Sequence, residues 1–224
     1  MKKYVIIVAG GTGSRMKSTI PKQFLCLDGV PVVMRSIKTF KEQDNNISII
    51  LVLPSEQIEH WEEMCKSYNF KIHHSIAIGG VTRFDSVKSG LTLIKENDCL
   101  IAIHDAVRPL VSKDTIERAF ALAETAGTAL PYTTINDSLR IKTSDSSIPL
   151  KRENIYIIQT PQCFQSNLLK QAYTQDYNEN FTDDATVVEN YGKVIHLFEG
   201  NTENIKITTP TDLLIAECLL KKKA

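Results

Sequence analysis

Hydrophobic positions along the chain fall into two alternating periodicities. Tyr4-Val5-Ile6-Ile7-Val8, the run Ile47 to Leu53 broken only by Ser48, and Leu100-Ile101-Ala102-Ile103 are short apolar stretches rich in β-branched residues, and each reads as a buried strand. Between them, apolar residues recur at helical spacing: Val33, Ile37 and Phe40; then Ile58, Trp61, Met64 and Cys65; then Phe84, Val87, Leu91 and Ile94. Pro54-Ser55 stops the second strand and supplies a cap for the helix after it, and Ser112 caps a further helix built on Ile116, Ala119, Phe120 and Ala123. Lys71 to Ile78 reads as a third strand nearer an edge, because His73 and His74 interrupt it. With no further ligands in view, these histidines are polar strand residues rather than metal ligands. Strand alternating with helix predicts an α/β fold, a mostly parallel twisted sheet with helices on both faces.

The alternation ends after the short strand Ala129 to Tyr132. Residues 133–159 instead alternate polar and apolar positions about the turn Thr143-Ser144-Asp145-Ser146-Ser147, which predicts a β-hairpin with no helix to cover it. A weakly apolar hairpin is unstable alone, so this arm is expected to lie on another surface, that of a second copy of the chain. A helix at Asn167 to Tyr173, strands at Val194 to Phe198 and Ile205 to Ile207, and a last helix complete the pattern. That helix is announced by Thr209 as cap, Pro210 at its first position and Asp212 in the capping-box position. No repeat, linker or low-complexity stretch divides residues 1–224, so one domain is expected, with the hairpin as a dimerisation arm.

Composition narrows the partners. Lysine plus arginine equals aspartate plus glutamate at 26 each, so no general basic field draws nucleic acid, and a nucleotide must be held by a local cluster. The five cysteines are scattered, without Cys-x-x-Cys pairs or histidines at zinc spacing, and read as reduced thiols of a cytoplasmic protein. Met1-Lys2-Lys3 and the apolar run after it break at Gly10, unlike a signal peptide, and no segment nears the ~20 apolar residues that cross a bilayer.

The first strand leads into Ala9-Gly10-Gly11-Thr12-Gly13-Ser14-Arg15, with Pro21-Lys22-Gln23 close behind. Glycines there let backbone amides approach a ligand that a β-carbon would obstruct. The P-loop spacing fails, because Ser14-Arg15 and not Lys-Ser or Lys-Thr follows the last glycine; the dinucleotide fingerprint fails because Met16 stands at its third glycine. What remains is a glycine turn with its own cations, Arg15 and Lys22, suited to a triphosphate. Gly79-Gly80-Val81-Thr82-Arg83 repeats the pattern of strand, glycine pair, cation and helix. The fourth strand runs into His104-Asp105-Ala106-Val107-Arg108-Pro109, which puts Asp105 at the carboxyl end of a strand, where α/β sheets bind ligands.

These blocks, with Ser86-Val87, Gln159-Thr160-Pro161-Gln162, Thr182-Asp183-Asp184-Ala185 and Gly200 to Thr208, resemble in order and over essentially the whole chain the cytidylyltransferases of isoprenoid biosynthesis. Those enzymes make 4-diphosphocytidyl-2-C-methyl-D-erythritol from CTP and 2-C-methyl-D-erythritol 4-phosphate. The ribitol-5-phosphate cytidylyltransferases share most of the blocks. Ala106, where the polyol enzymes tend to have Ser, and Ser86 to Leu91 favour the isoprenoid branch, whereas Gly10-Gly11-Thr12-Gly13 and Val8 are closer to the polyol one. The resemblance implies a Rossmann-like nucleotide-diphospho-sugar transferase fold and a homodimer. It also implies a magnesium ion oriented by Asp105, and Arg15, Lys22 and Lys206 as the catalytic cations. The nucleotide would meet Ala9, Gly10, Gly11, Gly13, Gly80 and Val81, largely through main-chain groups, together with Ser86. At Val81 the family often has Asp, so no side-chain role is expected there. The polyol phosphate would meet Arg108, Thr160, Asp137, Ser138 and Arg152, the last two completing the neighbouring protomer's site.

The implied chemistry agrees with what the sequence lacks. A phosphomonoester with a second pKa near 6 is already a nucleophilic anion at neutral pH, so no Ser/His/Asp or Cys/His arrangement is needed; cations and a metal are. Two rivals predict other features. A dinucleotide-dependent reductase needs an acidic residue closing the second strand, where Leu53-Pro54-Ser55 stands. A non-catalytic nucleotide sensor has no use for Arg15, Lys22, Asp105 and Lys206 together.

Overall fold

A computed structural model describes residues 1–11, 16 and 20–222. The apolar runs form strands β1 (Lys2–Val8), β4 (Ser48–Leu53), β5 (Ser75–Ile78) and β6 (Cys99–Asp105), with the short pair β2 (Cys26–Leu27) and β3 (Val30–Pro31) after the first loop. Helices α1 (Val32–Gln43), α2 (Ile58–Ser67), α3 (Arg83–Thr92) and α4 (Lys113–Ala126) fill the intervals. The later part supplies β7 (Thr128–Thr134), β8 (Leu139–Lys142), β9 (Ser147–Leu150), β10 (Tyr156–Ile158), β11 (Gln162–Gln165), α5 (Ser166–Ala172), α6 (Asp184–Asn190), β12 (Leu197–Glu199) and α7 (Pro210–Lys221).

The main sheet runs β10-β7-β11-β6-β1-β4-β5, and β12 also pairs with β7. Pairing is parallel from β6 through β5; only β11 and β10 run antiparallel to their neighbours. Alternation along each strand sorts the core into two layers. Val5 and Ile7 face α1, Trp61 of α2 and α4, whereas Ile6 faces α3, α5 and α6. A smaller cluster seats α7 by Ala216 against Leu27, Val107, Leu110 and Ile207. From β1 the chain steps outward to β4 and β5, then returns to the other side of β1 as β6. This reversal opens a crevice at the carboxyl ends of β1 and β6, where Val8 stands beside Asp105.

The caps on Ser112 and Thr209 form as expected, the latter as a full capping box with Asp212. Four expectations need correction. Ser55 caps nothing through its side chain; it begins a 3-10 turn ahead of α2. The third strand begins only at Ser75, and His74 is no outward strand residue, since its Nε2 accepts a 3.0 Å bond from Trp61 Nε1. Residues 205–207 form no strand, although the Ile207 amide donates to the Val107 carbonyl at 2.9 Å. Finally, the hairpin is shorter than 133–159: β8 pairs with β9 in a two-stranded sheet separate from the main one, whereas residues 133–134 belong to β7 and β10 pairs with β7 in the main sheet. Strand β11 and helix α6 are additional to the expected elements.

Burial lowers the His74 pKa, and its ring nitrogen is occupied as an acceptor. The unfolded chain therefore binds more protons below about pH 6.5, and stability falls as pH drops through that value. We expect denaturation followed by the fluorescence of the single tryptophan, Trp61, to show this loss, and His74→Gln to flatten it; an unchanged slope would contradict the assignment.

Candidate active site

The crevice is a cleft of about 250 Å³. Ala9, Gly10, Gly11, Lys22, Gly80, Val81, Ser86, Asp105 and Lys206 all line it, joined by Gln23 and Arg83. One wall is the loop after β1. The Ala9 amide continues the sheet by donating to Val52 O at 2.9 Å, and its carbonyl accepts from the buried Gln23 Nε2 at 2.8 Å. Gln23 thereby ties Pro21-Lys22-Gln23 to the strand end. A β-carbon on Gly11 would come 3.3 Å from Lys22 Cε, so glycine lets that side chain lie close along the loop.

The opposite wall is the second glycine turn and the start of α3. Thr82 and Asp85 cap the helix reciprocally. A β-carbon at Gly80 would sit 2.2 Å from Asp85 Cβ, which backbone and helix cannot relieve, so only glycine closes this turn. The Ser86 hydroxyl accepts from the Gly80 amide at 3.1 Å and donates to the Thr82 carbonyl at 2.9 Å. With its proton committed, it meets a ligand only as an acceptor.

The floor is Asp105. Its Oδ2 lies 3.0 Å from Lys206 Nζ and 3.4 Å from Arg108 Nε. Burial alone would raise this carboxyl, but Lys206, Arg83 and Arg108 hold it well below the usual carboxylate range. Beneath it, hydrogen bonds fix a tautomer. His104 Nε2 lies 3.1 Å from the Arg108 carbonyl, so Nε2 carries the proton, and Nδ1 accepts from Thr160 Oγ1 at 3.0 Å. Thr160 Oγ1 in turn accepts from the Asp105 amide at 3.1 Å. Burial pushes the imidazole down to about 4, in agreement with a neutral ring whose two nitrogens are both engaged.

A family model described as 2-C-methyl-D-erythritol 4-phosphate cytidylyltransferase matches residues 3–222. The chain is 50% identical over 221 residues to the protein of that name from Azobacteroides pseudotrichonymphae, spanning 98% of this chain and 99% of that one. It is 48% identical over 220 residues to the one from Bacteroides thetaiotaomicron, spanning 98% and 100%. The chain belongs to this family. The enzyme of that name from Thermus thermophilus has the same fold, with a TM-score of 0.80 at 27% identity over 99% of this chain and 100% of the other. The Francisella tularensis enzyme gives 0.80 at 29% identity, over 97% and 99%.

Membership of the cytidylyltransferase family makes the chain a nucleotidyltransferase, and the cleft collects most of the residues named for that chemistry. Gly13 and Arg15 lie outside the described residues. Arg108 and Thr160 are buried under Asp105 rather than lining the cleft. Arg108 gives Nη1–H to the Asn204 carbonyl at 2.7 Å and Nη2–H to Ile158 O at 3.5 Å, which leaves part of its guanidinium for a ligand. Asp137, Ser138 and Arg152 are exposed on or beside the hairpin and are not among the residues that line the cleft, with Arg152 bonded to the Asn136 carbonyl. Among the described residues no three His, Cys, Asp or Glu side chains converge as a metal site. Both cation contacts of Asp105 fall on Oδ2, so the donor set is one carboxylate. That suits a magnesium ion held chiefly by substrate phosphates, not a resident ion caged by protein.

Arg83, legible in the sequence as the cation of the second glycine turn but not assigned there to the site, is a further cleft residue. Arg83 reaches the cleft while its guanidinium grips the fully buried Asp184 in a bidentate pair, 2.9 Å from Nη1 to Oδ1 and 2.5 Å from Nη2 to Oδ2. Tyr173 Oη adds a 2.7 Å bond to Oδ1. The sequence signals were the cation after Gly79-Gly80-Val81-Thr82 and an acid in Thr182-Asp183-Asp184-Ala185, 101 residues apart. Removing one partner of such a pair strands a buried charge, so Arg83→Met should cost about 3–5 kcal/mol. Adding Asp184→Leu should recover most of it in chemical denaturation. A double variant no more stable than the single would show that the pair is not the source of the loss.

Proposed function

We infer that the chain transfers CMP from CTP to the phosphate of 2-C-methyl-D-erythritol 4-phosphate, releasing pyrophosphate and giving 4-diphosphocytidyl-2-C-methyl-D-erythritol. The observation that carries the mechanism is the Lys206–Asp105 contact at the floor of a cleft walled by two glycine turns. An acceptor phosphate oxygen attacks the α-phosphorus; a P–O bond forms, and the bond to the bridging oxygen breaks, so pyrophosphate carries away the electron pair. The attacking group is already an anion, so no proton need be removed. His104, whose nitrogens are both engaged beneath the floor, agrees with this.

The remaining work is electrostatic. Arg15 and Lys22 hold the triphosphate, and Lys206 steadies the acceptor phosphate and the charge growing at phosphorus. Gly10, Gly11, Gly80 and Val81 present backbone to the nucleoside. The Gly80 amide is committed to Ser86, so its carbonyl, with the Ser86 oxygen, accepts from base or sugar donors, while Ala9, its amide on Val52 and its carbonyl on Gln23, offers only a second lone pair. A magnesium ion, when bound, neutralises phosphate charge, and Asp105 would hold it. Arg108 and Thr160 face the acceptor from below. Asp137 meets it as well, and Ser138 and Arg152 reach it from the arm of a second copy in a homodimer, in keeping with their exposure here. Five free thiols fit a reducing cytoplasm, and among the described residues no helix is long and apolar enough to cross a membrane.

The direct test is pyrophosphate release from CTP with 2-C-methyl-D-erythritol 4-phosphate and ribitol 5-phosphate in parallel. Release with the first is expected, and release only with ribitol 5-phosphate would overturn the assignment. Lys22→Ala and Lys206→Ala should each lower turnover at least roughly 100-fold; Lys22→Ala should move Tm by about 2 °C or less, and Lys206→Ala, which leaves Asp105 only Arg83 and Arg108, by several degrees at most. Parallel losses of activity and Tm would make both lysines structural.

A further inference from the structure

Asn204 is fully buried two residues before Lys206. Its Nδ2 donates to the Thr160 carbonyl at 2.8 Å and reaches Gln159 Oε1 at 3.4 Å, and its own carbonyl accepts the 2.7 Å bond from Arg108. Its Oδ1 has no partner among the described residues. Leucine would fill a similar volume without the cost of an orphaned buried acceptor, so the amide is kept for what its nitrogen end does. That end ties 204–206, with Lys206, to 159–160, with Thr160; the link to Arg108 is made by the Asn204 main-chain carbonyl. The turn leading in is shaped for the same contact. Gln159 Nε2 donates to Asn201 O at 2.9 Å, and a β-carbon on Gly200 would lie 2.3 Å from Gln159 Oε1, so glycine brings the two segments together.

We propose that Asn204 is a positioning residue for the transfer reaction. Without touching substrate, its side-chain amide fixes the 204–206 segment on the Thr160 carbonyl, next to the main-chain bond to Arg108, so that Lys206 Nζ stands at Asp105. The proposal rests on the reading that Lys206 acts in the site, and a double-mutant cycle separates the two. kcat and KM for both substrates are measured for wild type, Asn204→Ala, Lys206→Ala and the double variant, with Tm for each. Asn204→Ala should lower kcat/KM roughly 100-fold, the scale expected of a displaced catalytic group. The double variant should be no worse than Lys206→Ala alone. Asn204→Leu should lose activity to the same degree while keeping its Tm, because it removes the orphaned oxygen along with the tether. Full activity in Lys206→Ala would remove the underlying reading. Losses that multiply in the double variant, or activity that follows Tm across the Asn204 variants, would overturn the inference.

Discussion

One buried carboxylate organises the molecule. Asp105 ends the central strand β6 at the reversal of the sheet, and three cations, Lys206, Arg83 and Arg108, offset the cost of burying its charge. Each cation arrives from a different direction. Arg108 follows three residues later, Arg83 opens α3, and Lys206 comes from the far end of the chain, so satisfying this one group draws the glycine turns, residues 158–160 and residues 204–206 into one place. The cations gathered around it suit the polyphosphate of the proposed reaction. Fold and chemistry thus share one electrostatic constraint.

What the sequence made legible follows from local physics. Continuous β-branched runs can hardly be anything but buried strands, and Ser112 and Thr209 cap helices because their hydroxyls have a backbone amide within reach. The glycine turns were visible because the residue type itself states the constraint, as the crowding at Gly80 shows. The missed features depend on partners distant in sequence. β11 has only two apolar residues, Cys163 and Phe164, and is a strand because β6 and β7 flank it. His74 looks like a polar strand residue until Trp61 is placed against it. Asp184 and Asn204 fall in blocks that carry the family resemblance but have no role legible in the sequence. Only the fold shows that one holds a cleft arginine and the other bonds the Thr160 carbonyl from the segment bearing Lys206.

The hairpin stands apart in the same physical terms. Its two strands pair only with each other, leaving Ile141 and Ile148 about half exposed. That exposure is in keeping with the proposed covering of the arm by a second copy of the chain. Asp137, Ser138 and Arg152 do not line their own cleft, and the proposed shared site would account for that.

The central claim, that Asp105 is a charge-balanced floor prepared for a metal-bound triphosphate, is tested most directly by CTP affinity measured calorimetrically with and without magnesium. Magnesium should tighten CTP binding to the wild type, and most of that gain should vanish in Asp105→Asn. An equal gain in the variant would contradict the account.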